Sequence, residues 1–252
     1  MNDTIKLLLN HRSIRSYLDK QLTEEEILLI VQSAQAAATS SYVQAYTIIG
    51  IKNQQKKDKL AELAGNQSYV AKNGHFLVFC LDLHRLEMAA AIESAKPESV
   101  EEALNSTEMF MIGLIDTALA AQNAAIAAES MGLGICYIGG LRNQLKAVSE
   151  LLQIPDRVIP LFGLSIGHPA NFSDQKPRLP ISSVYHEDGY NQDQEQLAGH
   201  LHAYNQVISS YYSERTQGAR SDRWTEAMTK LLQNPKRLYM KQFLMDNKIP
   251  LD

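Results

Sequence analysis

The sequence predicts a globular protein that mixes helices and strands in its first two thirds and is helical in its last part. Helix and strand patterns alternate from about residue 23 to residue 166, one long segment is almost entirely small or apolar, and the composition turns polar after Pro169. The chain of 252 residues is 45% hydrophobic and 21% charged, which argues against disordered, collagen-like and low-complexity classes.

The first predicted elements are a helix, a strand, a second helix and a second strand. Thr23 and Glu26 form a capping box, and apolar residues at helical spacing continue to Ala38. Residues 46–51 predict a strand, and residues 54–64 predict a polar helix that ends at Gly65. Residues 76–81 are apolar on both faces, so this second strand should be central in a sheet.

The most distinctive predicted element is a helix over residues 107–131. About 25 residues at about 1.5 Å each would span roughly 37 Å. Because this helix is apolar nearly all round, it should be buried in a core or along a subunit interface. The elements predicted after it are a strand at 135–138, a helix at 143–152, a strand at 158–166, a long loop at 171–192, and two or three polar helices from about residue 193.

Charge and cysteine content exclude several classes of protein. Lys plus Arg is 24 and Asp plus Glu is 28, so the formal charge of −4 argues against a nucleic-acid partner. Cys80 and Cys136 each lie in an apolar segment and should be buried thiols in a reducing compartment. We see no signal-peptide pattern and no apolar stretch near the ~20 residues of a bilayer span, which predicts a cytoplasmic protein that does not contact membranes.

Several common motifs are missing from the sequence. Gly132-Leu133-Gly134 lacks the third glycine of a dinucleotide-binding turn, and neither a P-loop nor a Gly-x-Ser-x-Gly elbow occurs. His200 and His202 lie two residues apart, so on a helix they would point to different faces, and no metal site is predicted.

Two cationic clusters could bind an anion. The first is the run His11-Arg12-Ser13-Ile14-Arg15-Ser16-Tyr17, which taken alone could also be a solvated basic helix end. The second is Lys176-Pro177-Arg178, in which proline stiffens the chain between the two cations. If the two clusters meet, they form a phosphate site.

A further candidate is the strand end Tyr137-Ile138-Gly139-Gly140. Paired glycines leave the backbone bare, so a flat ligand can approach it closely, although a plain strand-to-helix turn is the alternative. The loop residues Thr39, Ser40 and Ser41, together with Gln67 after Gly65, carry no signal individually.

Together these segments resemble the nitroreductase family, and within it the branch of oxygen-insensitive NADPH nitroreductases and flavin reductases of the nitroreductase A type. The resemblance covers nearly the whole chain. The segments that stand in the family's order and approximate spacing are His11 to Arg15, Thr39 to Ser41, Gln67, Ala128 to Gly134, Tyr137 to Asn143, and Lys176 to Pro180.

The resemblance implies an α+β fold, in which a mostly antiparallel sheet is flanked by helices. It implies an intertwined homodimer with two bound FMN molecules, and NADPH as electron donor. Residues 1–192 would form the FMN-binding core, and residues 193–252 a helical extension that embraces the partner within the same structural domain.

The resemblance also assigns roles to single residues. His11, Arg15, Lys176 and Arg178 would hold the FMN phosphate, Arg12 and Ser13 the ribityl or pyrimidine side, and Gln67 the pyrimidine edge. The segment Tyr137, Ile138, Gly139 and Gly140 would face flavin N5, while Thr39 and Ser40 could enter from the other subunit. Ser41, Arg220 and Arg223 would contact substrates, with Arg220 the first candidate for the 2'-phosphate of NADPH and Asp222 opposing it.

The implied activity is an FMN-dependent NADPH oxidoreductase that reduces nitroaromatics, quinones or other electron-poor acceptors. Hydride would pass through flavin N5 in a ping-pong sequence, without an obligatory catalytic side chain. Alternatives are an NADPH-FMN reductase that supplies reduced flavin to a partner oxygenase, a flavin redox sensor without turnover, and a globular protein without a ligand.

Overall fold

The computed structural model describes residues 1–250, which contain one antiparallel sheet and eleven α-helices. Contacts divide the chain into two compact units. Unit 1 comprises Met1–Ser173 and the chain from Tyr239 onward, and unit 2 comprises Asp174–Leu238. The predicted division at residues 192 and 193 concerned flavin binding and dimer contact, and it stays a prediction.

The sheet has four strands in the order β1-β2-β4-β3, and each neighbouring pair is antiparallel. Every residue of β2 is buried, because the strand lies between two neighbours and is covered on both faces. This confirms the central position that its apolar sequence predicted. The strands are β1 (Tyr46–Ile51), β2 (His75–Asp82), β3 (Gly134–Ile138) and β4 (Val158–Gly167).

The helices begin and end close to the predicted residues, apart from three in segments where no element was predicted. The unpredicted ones are α4, α5 and α6. The helices are α1 (Asp3–Leu9), α2 (Glu24–Gln35), α3 (Gln54–Leu63), α4 (Ser68–Ala71), α5 (His84–Ile92), α6 (Pro97–Asn105), α7 (Thr107–Ser130), α8 (Leu145–Leu152), α9 (Gln194–Arg215), α10 (Trp224–Gln233) and α11 (Met240–Asp246).

Helices cover both faces of the sheet in unit 1. On one face, Leu77 and Phe79 pack with α2 and with the alanines of α7. On the other face, Phe76 and Val78 pack with α3 and α8. The predicted α+β fold, with a mostly antiparallel sheet flanked by helices, is therefore confirmed.

Helix α7 is buried along one side only, which confirms the predicted place in a core for that side and leaves the subunit interface a prediction for the other. Ala120 and Ala124 are fully buried against the sheet, whereas Met111, Ile115 and Leu119 are exposed along the other side. By length and composition this helix could also cross a membrane, so the expectation that no segment approaches such a span was wrong. Its alanine side belongs to the core of unit 1, as in the central helix of a folded domain.

Two further features of unit 1 concern its cysteines and its last helix. Both cysteines are buried and free, as predicted, and burial raises the pKa of each thiol. Helix α11 brings the end of the described chain into the same core, because Phe243 and Leu244 pack in a cluster with Leu145 of α8.

Unit 2 is built on the long helix α9. Tyr204 and Ile208 of this helix are buried. Asn205 joins α9 to the start of α10, because its Nδ2 donates to Thr225 Oγ1 at 2.8 Å and its Oδ1 accepts from the Thr225 N–H at 3.1 Å.

Candidate functional site

The N-terminal run lies along the outer edge of β3. Ser13 forms a parallel bridge with Ile135, and the Ile14 N–H donates to the Ile135 oxygen at 2.8 Å. Ile14 is buried and packs so closely over Gly134 that a Cβ at that position would collide with it. The sequence thus places Arg12, Ser13 and Arg15 beside the strand that ends in the paired glycines.

Gln67 and Gly140 approach each other across the end of β3. Gln67 Nε2 donates to the Ala64 oxygen at 2.7 Å, and its Oε1 accepts from the Tyr69 hydroxyl at 2.6 Å. A Cβ on Gly140 would collide with Gln67 Nε2 and with the Ala64 oxygen. The absence of a side chain at Gly140 is therefore required by the packing.

Arg15 lies beside the same group of residues. Its guanidinium is 6.0 Å from the centre of the Tyr69 ring, which in turn holds Gln67. Burial raises the pKa of Tyr17 and of Cys136, and the positive charge of Arg15 opposes both increases, so this charge acts along the edge of β3. We call Arg15, Gln67, Tyr69, Gly139 and Gly140 the glycine cradle.

His11 and Arg12 are engaged within unit 1. His11 Nδ1 lies 2.7 Å from Glu129 Oε1 at the end of α7. Arg12 donates to the Asn10 side chain and, at 3.4 Å, to the Ser173 oxygen. Their predicted contacts with FMN stay predictions, and Glu129 is a partner that the sequence analysis did not identify.

A buried carboxylate holds the loop that carries Ser40 and Ser41. Asp116 of α7 is fully buried, and its Oδ1 accepts the Ser40 N–H at 2.8 Å while its Oδ2 accepts the Ala45 N–H at 3.1 Å. Between these anchors Ser41 and Tyr42 have φ of 46° and 61°, in the left-handed region. Thr39 precedes the loop and is half-buried. The only sequence signal for Asp116 was an acidic residue inside an apolar helix.

Tyr137 and Ile138 face opposite sides of the sheet. Ile138 is buried with α3 and α8. Tyr137 is partly exposed, its hydroxyl donates to Gln122 Oε1 at 3.3 Å, and its ring packs edge-on against Phe162. Burial raises the pKa of this tyrosine, and the charge of Glu129 adds to the increase.

Unit 2 brings one predicted FMN ligand close to one predicted NADPH ligand. Lys176 Nζ lies 5.4 Å from the centre of the Tyr212 ring, and the Arg220 guanidinium lies 4.5 Å from the same centre. Arg220 Nε also donates to Asp222 Oδ2 at 2.7 Å, as expected from the opposing carboxylate. Tyr212 was not identified from the sequence.

A cavity of about 220 Å³ lies beside this ring, with Lys176, Tyr212, Arg220, Arg223 and Trp224 among its lining residues. Arg223 Nε is 3.7 Å from Glu226 Oε2. Arg178 is exposed, and its Nη1 donates to the Lys176 oxygen at 3.4 Å. The predicted meeting of Lys176 and Arg178 with Arg15 of unit 1 stays a prediction.

Comparison with known proteins places this architecture in one family. The nitroreductase family model matches residues 8–168, and the model of the nitroreductase family C-terminal domain matches residues 176–252. The FMN reductase (NADPH) of Bacillus subtilis is 55% identical over 246 residues, covering 98% of each chain. The chain therefore belongs to the nitroreductase family, as the sequence motifs predicted.

Solved structures agree with this assignment. B. megaterium NfrA1 is 58% identical and superposes with a TM-score of 0.96, covering 99% of this chain and 100% of the other. The NfrA1 nitroreductase from B. subtilis is 53% identical with a TM-score of 0.95, covering 98% of this chain and 99% of the other. The described fold is thus that of NfrA-type nitroreductases.

Proposed function

We propose that this chain is an FMN-dependent NADPH oxidoreductase that reduces nitroaromatics, quinones or other electron-poor acceptors in the cytoplasm. The observation that carries the proposal is the glycine cradle. Three segments far apart in the sequence meet where Gly140 lacks the side chain that would collide with Gln67. The similarity to a protein named FMN reductase (NADPH) supports the same cofactor and donor.

The cradle suits a flat, polar ring system. The Gln67 amide, which donates one N–H to the Ala64 oxygen, has a second N–H for the edge of a flavin pyrimidine, and the backbone of Gly139, which is only partly buried, allows close approach to its face. Arg12 and Ser13 would contact the ribityl or pyrimidine side. Arg15, Lys176 and Arg178, with His11, would supply the positive charge for the phosphate.

The proposed chemistry requires no side chain that reacts covalently or transfers a proton. When bound, FMN accepts a hydride from NADPH at N5 and passes the electrons to the second substrate. The chain binds and orients the cofactor, and its cations and N–H groups stabilise negative charge near the flavin pyrimidine. Ser41 would line the space shared in turn by the two substrates, so we assign no nucleophile or general acid.

Donor recognition is assigned to the arginines of unit 2. The 2'-phosphate of NADPH carries close to two negative charges, which suits the guanidinium of Arg220 or of Arg223. Asp222 already pairs with Arg220 and opposes the phosphate. Comparing Arg220→Ala with Arg223→Ala in the reduction half-reaction, with NADPH and with NADH, identifies the residue that sets the preference.

We further propose a homodimer. The exposed residues Met111, Ile115 and Leu119 form an apolar stripe along α7, on the side away from its own core. A second chain covering this stripe could bring Thr39 and Ser40 to the partner's flavin. Ile115→Lys should give monomers in sedimentation, and the exposed control Glu101→Lys should leave the dimer intact. A dimeric Ile115→Lys protein would contradict this interface.

A second candidate is an enzyme that releases reduced FMN to a partner oxygenase. The name of the B. subtilis relative, FMN reductase (NADPH), favours it. Competition between free FMN and a quinone for turnover separates the two candidates. A flavin sensor would turn over neither free FMN nor the quinone.

The cofactor assignment is tested by FMN titration. Loss of one charge-assisted contact costs about 1.5–3 kcal/mol, so Arg15→Ala and Arg178→Ala should each weaken FMN binding about 10- to 150-fold. Lys241→Ala removes an exposed cation of α11 and serves as control. Unchanged affinity in both arginine variants would contradict the phosphate site.

A further inference from the structure

Tyr212 contacts two cations that the proposed function assigns to different ligands. The Lys176 ammonium is 5.4 Å and the Arg220 guanidinium 4.5 Å from the centre of its ring. A cation within about 6 Å of an aromatic centre is attracted by the negative face of the ring. One side chain therefore stabilises a cation predicted for the FMN phosphate and a cation predicted for the NADPH phosphate.

The backbone on the Arg220 side is tied to the same position of α9. Thr216 Oγ1 donates to the Tyr212 oxygen at 2.7 Å and accepts the Arg220 N–H at 2.9 Å. Gly218, with φ of 86°, allows the chain to turn between Thr216 and Arg220. Arg220 is thus fixed relative to Tyr212 through its main chain as well as its side chain.

The Lys176 side is tied to α9 two turns earlier. The Tyr204 hydroxyl donates to the Pro177 oxygen at 2.9 Å, next to Lys176 in the sequence. Tyr204, Ile208 and Tyr212 are spaced by four and share one side of the helix. This side therefore positions the segment 176–178 through Tyr204 and residues 216–220 through Tyr212.

The two charges repel each other in the free protein. Their distances to the ring place them no more than about 10 Å apart, comparable to the Debye length of about 8 Å at physiological salt, so screening reduces the repulsion only in part. The Asp222 carboxylate offsets the charge of Arg220 but is bonded to Arg220 alone among the described contacts. The Tyr212 ring is the group that both cations share.

We infer that Tyr212 is a positioning residue shared by two functions, FMN binding through Lys176 and the choice of NADPH over NADH through Arg220. It holds Lys176 and Arg220 in place through its ring face. This inference rests on the proposed function, because it uses the assignment of Lys176 to FMN and of Arg220 to the donor.

The test uses the full-length holoenzyme and two constants, the Kd for FMN and the ratio of the KM values for NADH and NADPH. Tyr212→Leu should raise the Kd for FMN about two- to fivefold and lower the KM ratio by a similar factor, the size of one exposed cation–π contact in each case. Tyr212→Phe keeps the ring and should behave as the parent. Tyr190→Leu is the control, because Tyr190 stacks on His186 in the same unit.

Double variants separate the two arms of the inference. In an Arg220→Ala background, Tyr212→Leu should still weaken FMN binding but no longer change the donor preference. In a Lys176→Ala background, it should change the donor preference alone. Independent, fully additive effects in both backgrounds would overturn the inference.

A variant that keeps the size and shape of the ring separates the electrostatic effect of its face from a general folding defect. Replacing Tyr212 by a trifluorinated phenylalanine keeps the ring and weakens its negative face, so both constants should move toward those of Tyr212→Leu. Constants equal to those of Tyr212→Phe would overturn the role of the ring face. If Lys176→Ala and Arg220→Ala have their effects and Tyr212→Leu has none, the proposed function stands and this inference fails. If neither Lys176→Ala nor Arg220→Ala has an effect, both this inference and the phosphate assignments of the proposed function fail.

Discussion

The carboxylate of Asp116 offers a stringent test of how the fold builds the proposed substrate loop. Its two oxygens accept the N–H groups of Ser40 and Ala45 from a fully buried position. A hydrogen bond to a charged group contributes about 1.5–3 kcal/mol, so two such bonds amount to roughly 3–6 kcal/mol. Ser40 is only half-buried and its freed N–H can reach water, which favours the lower end, about 3 kcal/mol, for Asp116→Ala.

Asp116→Asn should give an intermediate loss, because its amide keeps one acceptor and presents an N–H₂ group to the other donor. The free energy of unfolding is measured by urea denaturation of the holoenzyme at fixed protein concentration, since dimerisation would make it concentration-dependent. Limited proteolysis at residues 39–45 reports whether the loop itself opens. Glu150→Gln, at an exposed position of α8, is the control.

We expect stability to fall from the parent to Asp116→Asn to Asp116→Ala, and cleavage of the loop to increase in the same order. If both variants stayed within about 0.5 kcal/mol of the parent, the range of ordinary surface substitutions, Asp116 would not hold the loop.

Three further predictions follow from packing and titration. Gly140→Ala should lower both stability and FMN affinity, because the new Cβ would collide with the Ala64 oxygen and with Gln67. Gly199→Ala is the control, since its Cβ would point into open space and should lower neither. Equal effects of the two substitutions would refute the glycine cradle. Burial lowers the pKa of His75 to about 4 from 6.5, so the unfolded chain binds the extra proton first, and stability should fall as the pH drops from 6.5 toward 4. A His75→Gln variant should flatten that slope in urea titrations, and an unchanged slope would assign it to other groups. Phe243→Ala should lower the free energy of unfolding by about 3–5 kcal/mol, because Phe243 is buried in the core. Leu238 is exposed, so Leu238→Ala should lower it by less than about 0.5 kcal/mol. Equal losses in thermal or urea unfolding would show that α11 is not part of the core.

Much of the fold was predictable because local signals agreed with the final packing. The Thr23 capping box, the doubly apolar β2 and the small-residue helix α7 each form as expected. Helices α5 and α6 were not predicted. The sequence of α5 lacks a clear apolar stripe, and none of its residues is buried. The one-sided burial of α7 depends on which neighbours pack against it, and its own composition does not specify them.

The sequence predicted which segments contribute to the candidate site, but it did not predict which residues contact each other there. The motifs identified Arg15, Gln67 and Gly140, and the structure adds the Tyr69 ring that joins two of them. Asp116 and Glu129 lie far along the chain from Ser40 and His11, and Tyr212 lies far from Lys176, so no local pattern marks these pairs. Such pairings arise only when separate elements pack together.

The proposed flavin chemistry is tested most directly by the visible spectrum of the purified protein, recorded without oxygen before and after NADPH is added. We expect the absorption of oxidised, bound FMN, its loss on addition of NADPH, and its return when a quinone follows. NADH at the same concentration should reduce the protein more slowly. A colourless protein that binds no added FMN, or a yellow protein that NADPH does not bleach, would contradict this chemistry.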